Sequence, residues 1–159
     1  MNFLELRDGT WFCLRRGATD RIFTTLTSPD GGQTWNRERR TGVRGKMPDL
    51  LQDSDGAIVL AVGIEGLRKG REMLSDPRSS FVRLFVSHDQ GLSWEPDVTI
   101  PQYEGAEGIV PADSPVMVKL DTKRVLLVCQ AMDRHRSDVS SRWGYDVGMS
   151  LMGAILERT

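Results

Sequence analysis

Two octets of the chain, Ser28-Pro29-Asp30-Gly31-Gly32-Gln33-Thr34-Trp35 and Ser87-His88-Asp89-Gln90-Gly91-Leu92-Ser93-Trp94, share the pattern Ser-x-Asp-x-Gly-x-(Thr/Ser)-Trp, with first residues 59 positions apart. Self-similarity of this kind marks a repeated supersecondary unit, and such a unit dictates the fold before any local reading does. Each octet follows a short apolar run, Ile22 to Leu26 in one case and Phe81 to Val86 in the other. Both runs read as strands.

A second element precedes each octet. Phe3 to Phe12 is split by Asp8-Gly9, and Pro48 to Leu60 by Asp55-Gly56. Asp-Gly between two apolar runs signals a tight hairpin, because glycine accepts positive φ without steric cost. Pro115 to Leu127 is a third copy in which the Gly has been lost. The unit is therefore strand, turn, strand, long loop, strand, octet, strand. Four antiparallel strands in about 60 residues fit one blade of a β-propeller. Blade one is expected over 2–41, blade two over 48–100 and blade three over 115–159, with Val147 to Arg158 as the third strand of a truncated last blade. The single domain, 1–159, is then about two and two-thirds blades of an all-β propeller. Closed propellers have roughly four to eight blades, so the missing blades are expected from a longer chain or from a self-associated partner.

As a physical device the octet is a turn. Asp30 and Asp89 offer acceptors to nearby backbone N–H groups, Gly32 and Gly91 supply the permissive φ, and Trp35 and Trp94 offer an apolar plate that pins each hairpin to its own blade. With Ser28 and Ser87 these residues resemble the Asp-box, or bacterial neuraminidase repeat, of the sialidase superfamily. That resemblance implies a six-bladed propeller. Asp-boxes also occur in sortilin-like receptors and other non-enzymatic propellers, so they speak to fold more than to activity.

Strand parity divides the two ends of the blades. The Asp-Gly turns and the octets share one end, and Arg15–Asp20, Asn36–Met47, Glu65–Ser79, Tyr103–Ser114 and Met132–Asp146 are expected as loops at the other. Binding residues concentrate in long loops held by a rigid scaffold. In this region the chain is again similar to sialidases, through Lys46-Met47-Pro48, Glu65-Gly66-Leu67-Arg68 and Asp76. The resemblance implies that Asp76 is the general acid/base and that Lys46 and Arg68 contact substrate. Lys46 stands where the family has the first arginine of a triad gripping the sugar carboxylate, and a lysine offers a point charge in place of a planar fork. Asp113 holds the place of Lys46 in blade three and, like Glu107, resembles the glutamate that assists a tyrosine nucleophile. Tyr103 and Tyr145 match no nucleophile motif, so the nucleophile is expected outside these residues and the 159 residues alone are expected to be inactive.

Composition narrows the alternatives. With 21 Lys+Arg against 22 Asp+Glu, the net charge of −1 offers no broad footprint for nucleic acid or an anionic membrane. The longest apolar runs, Ala57 to Ile64 and Val125 to Cys129, are far short of the roughly 20 residues of a membrane span, which predicts a soluble chain. Cys13 and Cys129 sit in apolar segments as core thiols. Two histidines, His88 and His135, with two distant cysteines supply no zinc set, and Gly63, Gly66 and Gly70 lack the rest of a phosphate loop. No metal or cofactor is expected. Arg71 reads as solvated charge, and Trp143 and Tyr145 as strand packing. The 17 arginines outnumber the 4 lysines, a bias that suits anion recognition. The expected function is a sialidase-like exo-glycosidase acting with retention on terminal acidic sugars of glycoconjugates. The alternative is a non-catalytic Asp-box propeller that binds glycans or proteins at the same end. The chain carries no signal that assigns a compartment.

Overall fold

The computed structural model describes residues 1–64, 68–69, 72–73, 81–99, 109–133 and 149–157. Sheet one contains β1 (Asn2–Glu5), β2 (Trp11–Arg16), β3 (Ile22–Ser28) and β4 (Arg39–Arg44), hydrogen-bonded in chain order. Sheet two runs outward from β5 (Lys46–Gln52) to β6 (Ile58–Ile64). After the short hairpin β7 (Arg68–Lys69) and β8 (Glu72–Met73), it continues with β9 (Phe81–Ser87) and β10 (Glu95–Thr99). Sheet three comprises β11 (Ile109–Lys119), β12 (Arg124–Asp133) and β13 (Met149–Glu157). All the pairings are antiparallel, and no helix is present among the described residues.

Sheet two lies between the other two because β6 is apolar on both faces. Ile58, Leu60 and Val62 join Leu6, Phe12, Leu14 and Phe23 of sheet one in one core. The alternate residues Val59 and Ala61 join Val82 and Leu84 and meet Met117, Val125, Leu127 and Cys129 of sheet three. The period of two in side-chain direction thus assigns one strand to two interfaces. Each buried Leu or Val contributes about 1.5–3 kcal/mol relative to exposure.

The first-to-second turns recur in register. Leu6 N donates to Thr10 O at 2.8 Å, Asp53 N to Ala57 O at 2.8 Å and Leu120 N to Arg124 O at 2.9 Å. Gly9 and Gly56 take φ of 82° and 94° in these turns. Successive sheets are also stitched by polar groups. Arg7 donates to Ser54 O at 2.7 Å and Asp53 O at 2.8 Å, and Ser54 Oγ donates to Thr122 O. Along the inner strands Asn2 Nδ2 donates to Pro48 O at 2.8 Å and Asp49 Oδ1 at 3.4 Å, while Asp49 Oδ2 accepts the backbone N–H of Met117 at 2.6 Å.

The structure corrects the loop boundaries. Within Asn36–Met47, Arg39–Arg44 forms β4 and Lys46 opens β5; Ile109–Ser114 belongs to β11, Arg15 and Arg16 end β2, and Met132 and Asp133 end β12. Glu65–Ser79 contains the β7–β8 hairpin. These strand ends carry charged residues or prolines, and backbone pairing holds them despite the weak apolar pattern. The tryptophan pins are also corrected. Trp94 packs on Phe12 of the neighbouring sheet, ring centroids 6.4 Å apart, because the octet of one sheet overlies the sheet before it. Trp35 lies against Phe3 of its own sheet at 6.1 Å.

Candidate functional site

The two ends of the sheets differ in chemistry. At one end Ile58 pairs with Ser87, where the second octet begins; at the other Lys46 pairs with Gly63 and Ile64 with Phe81. Strands of this length separate the ends by roughly 20 Å.

The octet end is saturated with its own hydrogen bonds. Ser28 Oγ donates to Asp30 Oδ1 at 2.8 Å and accepts from Gly32 N at 2.8 Å; Asp30 accepts from Thr34 N at 2.8 Å and Thr34 Oγ1 at 2.6 Å. Ser87, Asp89, Gly91 and Ser93 repeat the set at 2.8, 2.7, 2.8 and 2.6 Å. The Thr34 hydroxyl and N–H pull the Asp30 carboxyl down to about 2, and those of Ser93 do the same for Asp89. Such a carboxylate stays ionised and occupied, so it holds a turn and has no capacity for proton transfer at neutral pH. A cleft of about 600 Å³ opens at this end between His88 and Asp97 on one side and Lys123 and Glu157 on the other. It is the counterpart of the groove over Thr25 and Thr27 that Asp89–Leu92 lines on sheet one, so its shape belongs to sheet packing.

The opposite end is built on distortion. Lys46, half-buried, begins β5, and the register shifts between Lys46 and Asp49. Asp113 pairs with Gln130, and the register shifts again between Asp113 and Val116. Met47 and Ser114, immediately after these residues, take left-handed φ of 44° and 50°. Non-glycine residues held there cost about 1–3 kcal/mol each, and such strain and bulges gather where a strand must re-aim a side chain. Gly45 sits where sheets one and two cross closely: a Cβ there would lie 3.0 Å from Gly63 O and Val62 Cβ.

The structure therefore puts Lys46 and Asp113 at matching positions of adjacent inner strands. Arg68 pairs with Met73 in the hairpin that leaves β6 at the same end. Asp76 lies outside the described residues, as do Arg71, Tyr103, Glu107, His135, Trp143 and Tyr145. Met47 and Ser114 escaped the sequence reading, although each precedes a proline, Pro48 and Pro115, that marks the entry. In sheet one, this end is closed by Asp20, which accepts from Ile22 N at 3.1 Å and Arg40 Nη2 at 2.6 Å, while Arg44 Nε donates to Asp20 O. The Ile22 N–H and the Arg40 guanidinium hold the Asp20 carboxyl below its usual range.

No family model matches the sequence, and no curated protein matches it. Among solved structures, an α-L-arabinofuranosidase from Fusarium graminearum, bound to an iminosugar inhibitor, is similar at 17% identity and TM-score 0.63; the match covers 99% of this chain and 44% of that one. An α-L-arabinanase from Penicillium chrysogenum, complexed with arabinobiose, is similar at 18% identity and TM-score 0.60, over 99% and 45%. A protein of unknown function from Dyadobacter fermentans is similar at 19% identity and TM-score 0.62, over 99% and 37%. The chain thus spans less than half the length of these structures. At such identities the likeness speaks to fold, and with the three antiparallel sheets it defines a partial β-propeller.

Proposed function

We propose that these sheets form part of a glycoside-hydrolase-type propeller of six blades that takes a terminal sugar at the end remote from the octets. Asp76 is the general acid/base, and Lys46, Arg68 and Asp113 contact the sugar. The observation that carries the reading is the pair of bulged, left-handed entries at Met47 and Ser114. They spend stability at two matching positions, at the end where the octets are not. An acidic sugar is the substrate that the sialidase resemblance favours, with Lys46 and Arg68 supplying positive charge. A charge-assisted hydrogen bond of this kind contributes about 1.5–3 kcal/mol.

The solved structures favour a second reading, a neutral arabinofuranoside, since two are named for enzymes of that sugar. A lysine ammonium donates to sugar hydroxyls without needing the planar match that a carboxylate asks of an arginine.

The test is turnover by the intact protein of a fluorogenic α-sialoside and of a chromogenic α-L-arabinofuranoside. We expect sialoside turnover, a fall in kcat of about 100-fold or more for Asp76→Asn, and a rise in KM of about tenfold for Lys46→Met. Turnover of the arabinofuranoside alone selects the second reading. Binding of either sugar without turnover makes the molecule a non-catalytic propeller, and unchanged activity in Asp76→Asn overturns the role given to that residue.

A further inference from the structure

The outer face of sheet three is apolar and bare. Leu151 is 79% exposed, Ile155 59% and Val116 52%, with Val118 and Leu120 also exposed beside half-buried Leu126 and Val128. The shared turn hydrogen bonds align the three sheets position by position. On that alignment Val118, Leu126, Val128 and Leu151 hold the places of Leu4, Phe12, Leu14 and Phe23, which sheet two covers. In sheet two the same places belong to Leu51, Val59, Ala61 and Val82, which sheet three covers. One face has therefore been used twice as a seat for the next sheet, and its third copy has no occupant in a single molecule.

Sheet one carries the complementary face. Phe3, Trp11 and Trp35 are exposed, at the positions where Leu50, Ile58 and Trp94 of sheet two pack into the first core. The glycines of the octets show the same contrast. A Cβ on Gly91 would come 2.4 Å from Phe12 Cε2, whereas one on Gly32 would meet only its own Trp35, at 3.6 Å. Gly91 is used for a close approach to the preceding sheet. Gly32 is the same residue in the same turn with nothing beneath it.

We propose that a second copy of this chain seats its sheet one on the outer face of sheet three, and that the reciprocal contact closes a ring of six sheets. The molecule bears both halves of one head-to-tail contact, and a heterologous contact made twice around a twofold axis closes without leaving either half exposed. In the dimer Trp35 of the partner subunit covers Leu126, as Trp94 covers Phe12 within one copy.

Light scattering after size exclusion tests this on the 159-residue chain. The expected mass is about 36 kDa, twice the 17.8 kDa of one chain, and independent of loading concentration. Leu151→Glu/Ile155→Glu and, separately, Phe3→Glu alter residues that are exposed in one copy. Each variant should run as a monomer with an unchanged circular dichroism spectrum. Mixing the two variants should restore a heterodimer, because one undamaged contact remains between them. A wild-type chain that stays monomeric at about 100 μM overturns the proposal, and the bare face then belongs to further sheets of a longer polypeptide. Mass that climbs past two copies with concentration overturns ring closure. A dimer that survives in both variants overturns the assignment of the faces.

Discussion

Gly32 and Gly91 hold the same place in two turns, with φ of 90° and 85°, yet the surroundings make them unequal. Alanine at either position meets the left-handed penalty of about 1–2 kcal/mol. At Gly91 the new methyl also strikes the Phe12 ring, and overpacking of that kind costs a further 1–3 kcal/mol or so. Chemical denaturation should therefore show Gly91→Ala less stable than Gly32→Ala by about that difference. The octet aspartates make a second prediction. Their folded pKa, about 2, lies below the ordinary 3.8, so the stabilisation they give is complete above the ordinary value and disappears as pH falls toward the folded one. Melting temperatures measured from pH 5 down to pH 2 should drop through that window in the wild type. The drop should be shallower in Asp89→Asn, which starts lower at neutral pH.

Among the elements, the strands flanking the octets and the Asp-Gly turns were legible because they obey strong local rules: an apolar run, a glycine at positive φ, an acceptor two residues before it. Strand β4, Arg-Arg-Thr-Gly-Val-Arg, was not. It is an edge strand with four residues exposed, so pairing with β3 fixes it while no apolar alternation announces it. The candidate site was legible in part. The spacing from the turn to Lys46 and to Asp113 is visible in sequence, but the left-handed conformation of Met47 and Ser114 arises from the bulge and leaves no glycine to reveal it. Replacing Met47 by glycine should relieve that strain and raise stability by up to about 1 kcal/mol, while weakening sugar binding if the bulge aims Lys46. Equilibrium unfolding and ligand titration measure the two effects separately. On the inner strands, Asp49→Ala should cost about 1–3 kcal/mol, since it leaves the Met117 N–H and the Asn2 amide without their acceptor.

At the scale of the whole molecule, β6 joins two cores that otherwise share no strand. Leu60 faces one and Leu127 lies in the other, both almost fully buried. Leu60→Ala and Leu127→Ala should each cost about 2–5 kcal/mol. Because the shared strand couples the cores, both variants should shift one cooperative transition rather than split it, and calorimetry would show two peaks if the sheets unfolded independently.

The hydrogen bonds from Asn2 to the Pro48 carbonyl and from the Met117 amide to Asp49 give the assembly a grammar as well as a glue. Each side chain reaches forward to the backbone of its successor, and nothing reaches back with the same residue. Growth by this rule has an arrow. A shuffled gene could append a unit in one orientation and be read correctly, whereas a reversed unit would present side chains to side chains and find no backbone to hold.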